Sequence, residues 1–425
     1  MNKEKRRHIE VCANWVGLPH PILVGVLHAA PLRGKEIFSF EYAHDWLKHN
    51  QAHVLDPALQ LFQGIQYVPY EQDNFGIFLD SSPDRWGRFL MKRREAQLAR
   101  EEKREERKLL ESDYLLGVYD EHRIGGLRFR TDHNGPFLDN NKESAAPPWT
   151  SLRELEEACL ELEKIDAENN PNYSKWLKML IAPGGSLGGA RPKASVIDGH
   201  RHLWIAKFPS GNDEWDIGAW EMVVYNLAKH AKITISDAKI GKFNSNHHTF
   251  LSKRFDRTTT GERIHFASAM TLLQRSDGDD ASKGVSYLEL AEFITRQGAA
   301  PERDLEQLWR RIVFYICVSN VDDHLRNHGF ILHPNGWVLS PAFDINPVAS
   351  GDGLKLNISE SDNAQDLELA REVSEFFRIK SDSATTIIED IIKVVKDWRG
   401  EATFLGITKQ EQNSMAPAFR IADNM

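Results

Sequence analysis

Residues 305 to 344 limit the possible folds more than any other stretch. Leu305, Leu308, Ile312, Val313, Ile316 and Cys317 recur at helical spacing and form one apolar stripe, a core-facing helix. The stripe ends near Cys317, and a polar run, VSNVDDHLRNHG, follows at 318–329. Phe330-Ile331-Leu332 and Trp337-Val338-Leu339 are two short apolar arms around the turn signal His333-Pro334-Asn335-Gly336. The chain must therefore run helix, polar loop, hairpin. Asn327 lies just before the first arm and Asp344 just after the second, so closing the hairpin returns both to one end.

That geometry gathers Asp322, Asn327 and Asp344 around one point. Hard oxygen donors in this number suit Mg²⁺, which takes few protein ligands and fills its shell with phosphate and water. The D-x-x-x-x-N spacing of Asp322 and Asn327 matches the catalytic loop of kinases, where the Asp orients the attacking hydroxyl and the Asn binds metal. The spacing alone also fits a loop whose side chains cap helix ends; the hairpin and the second Asp favour the chemical reading. His324 and His328 are four apart, but a zinc motif of the HExxH type would need Glu where Leu325 stands. The two histidines are expected to hydrogen-bond and shape the loop.

A second feature is the run from Gly184 to Lys193, GGSLGGARPK. Clustered glycines let backbone N–H groups approach phosphate. No Gly-Lys-Ser/Thr ends the run and it is not G-x-G-x-x-G, so by itself it reads equally as a turn. It leads into a hairpin signalled by Ala194–Ile197 and His202–Phe208 around Asp198-Gly199. Pairing there brings Lys207 beside Arg191–Lys193, a cation next to the glycine loop, and Glu221 on the following helix could pair with Lys207.

The rest of the chain frames these pieces. Strand-like runs at Val11–Val16, Ile22–Ala29 and Ile37–Tyr42 open it, followed by a helical stretch around Tyr42–Asn50. A long helix is expected over Asp84–Leu110, its charged end a solvated face with i,i+4 pairs. Thr131–Thr150 reads as a linker. Helices are expected from Leu152 to Leu162 and from Asp216 to Ala231, with a strand pair ending in Phe250–Phe255. From Ser286 onward the chain is mostly helical, with a second core stripe at Ile387, Ile388, Ile391, Ile392, Val395 and Trp398. The expected architecture is α+β, a two-lobed kinase-like fold. It has an N-terminal strand-rich subdomain (1–145), a small lobe (146–260) and a helical lobe (261–425).

The net charge of −9 argues against nucleic acid as the main partner. Three scattered cysteines, Cys12, Cys159 and Cys317, form no CxxC pair and fit reduced thiols. No apolar stretch is long enough to span a bilayer, so no membrane partner is expected and a cytoplasmic location is.

Together these motifs resemble the HipA-like serine/threonine kinases, the toxin halves of bacterial toxin–antitoxin pairs. The matching stretches are SLGGARPKASV at 186–196, LWIAKFPS at 203–210, SKRFDR at 252–257, NVDDHLRNHGF at 320–330 and LSPAFDINP at 339–347. FGIFLDSSPDRWGR at 75–88 and IGGLRF at 124–129 resemble the subdomain that precedes the kinase lobes. The resemblance implies an enzyme using ATP and Mg²⁺, with Asp322 as catalytic base and Asn327 and Asp344 as metal ligands. It implies that Ser186, Gly188, Gly189 and Lys193 of the loop and Lys207 meet the nucleotide phosphates. Lys253, Arg254 and Phe255 would form the hinge against adenine. Ser186 falls where the family carries a self-phosphorylated serine; a dianion there would repel the γ-phosphate. The implied partners are a protein substrate such as an aminoacyl-tRNA synthetase and a small helix-turn-helix antitoxin, with DNA reached only through it.

Two departures mark a separate branch. HFASAMTLL at 265–273 differs from the glutamate-aspartate pattern of the best-known toxins, and GGARPK stands where those have an alanine-glycine-alanine-glutamine type sequence. Two other readings remain open at this point: a non-catalytic nucleotide-binding partner module, and a small-molecule kinase on the same scaffold.

Overall fold

The computed structural model describes residues 6–69, 72–142, 145–181 and 189–425. The chain divides into two compact units. The first holds Met1–Gly211 and Arg254–Ala267, the second Asn212–Lys253 and Ser268–Met425. The boundaries expected near 145 and 260 both fall inside the first unit.

The first unit opens with β1 (Arg7–Ala13), β2 (Ile22–Leu32), β3 (Lys35–Tyr42), β4 (Ile65–Tyr67) and β5 (Leu127–Arg130). They form an antiparallel sheet in the order β4-β3-β2-β1-β5. β1 starts earlier than its apolar run because polar Arg7 and His8 pair with Ala29 and His28. One face is a core of Phe38, Phe40, Phe75, Phe78, Leu127 and Phe129, all buried.

The helices of this unit include α1 (His44–Leu47), α2 (Gly76–Asp80), α3 (Arg85–Glu101), α4 (Glu111–Leu116), α5 (Leu152–Leu162) and α6 (Tyr173–Ile181). α3 begins at its N-cap Asp84, which accepts the Gly87 N–H. It ends well before Leu110. Lys103 takes a left-handed φ of 52° and the Arg104 N–H returns to the Ala99 carbonyl at 3.0 Å, a helix stop made without glycine. The polar stretch after β5 is bound to its surroundings: the Leu138 and Asp139 N–H groups reach the Phe129 and Val118 carbonyls. Then β6 (Lys193–Ile197) and β7 (Leu203–Lys207) make the expected hairpin, with Lys193 opposite Lys207. The Asp198 carboxylate closes the turn by accepting the His200 and His202 N–H groups.

The second unit contains α7 (Ile217–His230), β8 (Ala238–Gly241) and β9 (Thr249–Lys253). β10 (Phe266–Ser268) crosses the boundary into it. Next come α8 (Ala269–Leu272), α9 (Tyr287–Gln297), α10 (Pro301–Val318), β11 (Gly329–His333) and β12 (Gly336–Leu339). α11 (Leu367–Glu372), α12 (Ser381–Val395), α13 (Trp398–Phe404), α14 (Lys409–Met415) and α15 (Arg420–Asn424) close the chain. Proline at its first turn and Glu302 and Asp304 beside it start α10, as the macrodipole favours. Every residue of α10 from Leu308 to Val318 is buried, so the stripe read from sequence widens into an all-round core helix. The second stripe is core too, and Trp398 stacks on Phe419 at 4.4 Å. Among the described residues, no helix is long and apolar enough to cross a membrane.

Candidate active site

The site grows from the C-terminal end of α10. Ser319 caps the helix in the left-handed region, φ 50°, and turns the chain out of the core. Its hydroxyl donates to the Ala418 carbonyl at 2.8 Å and accepts from Arg420 at 3.2 Å. The loop then tightens through a short 3-10 turn, Leu325–Asn327, with the Asn327 N–H on the His324 carbonyl at 2.8 Å.

β11 and β12 pair as the sequence required: Phe330 faces Leu339, Leu332 faces Trp337, and His333 faces Gly336. Gly336 sits at φ +131°, and a side chain there would stand 2.5 Å from the Gln297 carbonyl oxygen. Past β12, the chain retraces its path to the root of the loop. The Asn346 N–H donates to Asn320 Oδ1 at 3.1 Å and the Val348 N–H to the Ser319 carbonyl at 3.1 Å. Asp344 is thereby returned to the end of α10. Its own φ is +57°, and Asn346 Nδ2 donates to its Oδ1 at 3.2 Å. Non-glycine residues held there store strain that tends to collect at functional positions.

Asp322 is exposed, whereas Asn327 is buried. Asn327 Nδ2 donates to the Asp322 carbonyl at 3.1 Å. That bond fixes which way the amide faces. Its oxygen, Oδ1, is buried and has no hydrogen-bond partner among the described residues. A buried acceptor without a donor is costly unless something else satisfies it, and a cation does so. Among the described residues no group of three His, Cys, Asp or Glu could hold a metal ion. An amide and one or two carboxylates are instead the sparse donor set that suits Mg²⁺ beside phosphate.

Beneath the loop lies a polar cluster. Asp323 and His328 are 1% and 0% exposed. Asp323 Oδ2 bonds His328 Nε2 at 2.6 Å and accepts the Tyr287 hydroxyl at 2.8 Å. Burial first, then Asp323, pushes the Tyr287 phenol well above its ordinary range. The Tyr315 phenol is likewise pushed up by burial and Asp323, with Asp344 adding to it against the pull of Arg311. Asp323 and Asp344 thus act on a single phenol.

The other expected residues divide between the units. Gly189 lies in the first, and Ser186 and Gly188 lie outside the described residues. Lys207 is half-buried at the end of β7, in register with Lys193 as expected. Lys193 itself does not stand free for phosphate. It is 2% exposed, with Nζ on Asp84 Oδ2 at 2.9 Å and on the Gly189 carbonyl at 2.7 Å. This buried ion pair ties β6 to the cap of α3. The Arg254 side chain is likewise spent on structure, paired with Asp256 at 2.6 Å and donating to the His122 carbonyl at 2.6 Å. Phe255 packs on Phe266 at a ring distance of 5.8 Å. In the second unit, Lys253 is half-buried at the end of β9 and Glu221 is buried on α7.

Sequence reasoning missed Asp323, Tyr287, Asn320 and Asn346. Asp323 was overshadowed by its neighbour Asp322. The loop-shaping role expected for the histidines holds for His328 through its bond to Asp323.

Comparison with known proteins agrees with this architecture. The family described as the HipA-like C-terminal domain matches residues 185–398, half of the chain. A putative kinase of Haemophilus influenzae (strain ATCC 51907 / DSM 11121 / KW20 / Rd) is 26% identical over 184 residues, 39% of this chain. The match covers 53% of that protein, so the chain spans about half the length of this curated relative. Among solved structures, a chain of the Shewanella oneidensis MR-1 toxin–antitoxin complex of HipA, HipB and operator DNA superposes with a TM-score of 0.61. It is 16% identical, and the match covers 98% of this chain and 97% of that one. The fold is therefore α+β and kinase-like.

Proposed function

The chain belongs to the HipA-like family, and we propose that it is an ATP- and Mg²⁺-dependent serine/threonine protein kinase. The observation that carries this reading is Asn327 Oδ1, a buried acceptor without a partner among the described residues, in the loop that also bears Asp322. In this reading Asp322 accepts and orients the acceptor hydroxyl. Asn327 and Asp344 hold the metal, which neutralises charge on the phosphates when bound. Lys207 contacts the phosphates, and Lys253 and Phe255 flank the base. Catalysis then rests on position and on preset charge rather than on covalent chemistry.

The acceptor is a protein hydroxyl, with an aminoacyl-tRNA synthetase as the target class and Ser186 as the site of self-phosphorylation. The partner is a small helix-turn-helix antitoxin, through which DNA is reached, and the site of action is the cytoplasm. A complex of this kind is named for the Shewanella oneidensis neighbour, which lends the antitoxin reading its support.

The test is incubation of the full chain with Mg-ATP and cell lysate, followed by mass spectrometry of all proteins. New phosphate on Ser186 and on a distinct acceptor protein supports the proposal. Phosphate found only on a small molecule moves the chain to the small-molecule kinases. No transferred phosphate, together with no Mg-ATP-induced rise in melting temperature, overturns it.

A further inference from the structure

The catalytic loop is stapled twice, one residue out of step. Asn327 reaches back five residues to the Asp322 carbonyl, and His328 reaches back five residues to the Asp323 carboxylate. The second staple is buried beneath the loop and leads away from it. Asp323 Oδ2 also takes the Tyr287 hydroxyl from the first turn of α9. The His328 carbonyl takes the Ala269 N–H from the first residue of α8 at 2.9 Å, and the His328 ring stands edge-on to Tyr287 at 5.7 Å. The Asp323 carboxylate thereby fastens the loop to α9, and the backbone carbonyl of His328, whose ring is held by that carboxylate, fastens it to α8.

Such a cluster is a poor way to gain stability. A buried polar group must recover its lost hydration, and apolar side chains of the same volume often do as well or better. This cluster is also incompletely satisfied: Asp323 Oδ1 and His328 Nδ1 have no partner among the described residues. What directional bonds give that apolar packing does not is a fixed orientation. The two residues so fixed are the sequence neighbours of Asp322 and Asn327.

We propose that Asp323, His328 and Tyr287 are positioning residues that hold the 322–327 turn so that Asn327 Oδ1 faces the cation. This rests on the kinase reading above. The physical analogue is the outer shell of a metal site, whose loss costs about 10- to 100-fold in metal affinity or activity.

The full chain is titrated with Mn²⁺ in the presence of a non-hydrolysable ATP analogue, reading free Mn²⁺ by electron paramagnetic resonance. Phosphoryl transfer is measured alongside. His328→Phe should weaken Mn²⁺ binding by about 10-fold or more and lower kcat, while the affinity for the analogue measured without metal stays put. His328→Gln, which keeps an N–H donor, should recover part of the loss, and Tyr287→Phe should lose less than Asp323→Asn. Ile391→Ala in the core helix α12 is the control for general loosening. Equal loss of Mn²⁺ affinity in that control overturns the proposal, as does unchanged Mn²⁺ binding in folded His328→Phe. If His328→Phe does not fold, the same criteria apply to Asp323→Asn and Tyr287→Phe. A wild-type chain that neither binds Mn²⁺ nor transfers phosphate overturns the kinase reading and this proposal with it. A wild-type chain that does both, matched by its variants, overturns this proposal alone.

Discussion

The loop at 320–328 and the segment at 254–263, which begins within the SKRFDR motif, are both rich in polar side chains, yet their hydrogen-bonding states differ. In the loop, Asn327 Oδ1, Asp323 Oδ1 and His328 Nδ1 are buried without partners among the described residues. In the segment, Asp256 takes Arg254 on both oxygens, Arg257 at 2.7 Å and the Gly125 N–H at 2.9 Å. Arg257 goes on to the Arg123 carbonyl at 2.8 Å and Arg263 to the Asp120 carbonyl at 2.6 Å. Burial would raise the Asp256 carboxyl, but Arg254 and Arg257 outweigh it and hold it well below the ordinary range. The comparison teaches that motif density does not identify a site. In the loop the open Asn327 Oδ1 leaves room for a ligand, whereas in the segment the saturated Asp256 carboxylate fastens the chain.

The contrast can be broken in four places. Asp322→Ala should cut phosphoryl transfer about 10²- to 10⁴-fold while nucleotide binding by thermal shift persists; retained transfer would remove Asp322 from its role. Asp256→Ala leaves buried guanidinium groups without their carboxylate and should cost about 3–5 kcal/mol, read as a lower urea midpoint. A shift near zero would deny the segment its fastening role.

The third concerns pH. His265 is 2% exposed and stacks on Trp15 at 4.8 Å. Burial, with a smaller push from His53, pulls it down to about 3. Its unfolded value is near 6.5, so between those values the unfolded chain binds the extra proton. Stability should therefore be intact above about pH 6.5 and fall as pH drops, by about 2 kcal/mol from pH 7 to pH 5. Urea midpoints at the two pH values check this, and His265→Phe should flatten the slope. The smallest effect is the sharpest test of the contrast. In Arg254→Gln, ATP affinity should move by less than about twofold, under 0.5 kcal/mol. A tenfold loss would return Arg254 to the nucleotide.

Much of this was legible because period and punctuation agreed. The helical stripe at 305–317 and the two arms around His333–Gly336 each signal one local structure, and their adjacency implied the return of Asp344. The excess length assigned to α3 has a local cause: its charge pattern continues to 110, while the stop depends on a left-handed lysine, Lys103, which carries no sequence signal. The surroundings of Lys193 were hidden for a different reason. Its partner Asp84 lies more than a hundred residues away, as does the His122 carbonyl that Arg254 reaches besides its near neighbour Asp256, and no spacing rule connects them. Tyr287 and Asp323, 36 residues apart, were hidden in the same way.

The left-handed backbone at Asp344 has a practical consequence. Asparagine accepts that conformation nearly as readily as aspartate, whereas an alanine there carries a penalty of about 1–2 kcal/mol. Asp344→Asn therefore deletes a charge without disturbing the path of the chain. In the proposed reading such a protein is the cleaner bait for an affinity capture, since it would engage an acceptor without phosphorylating it.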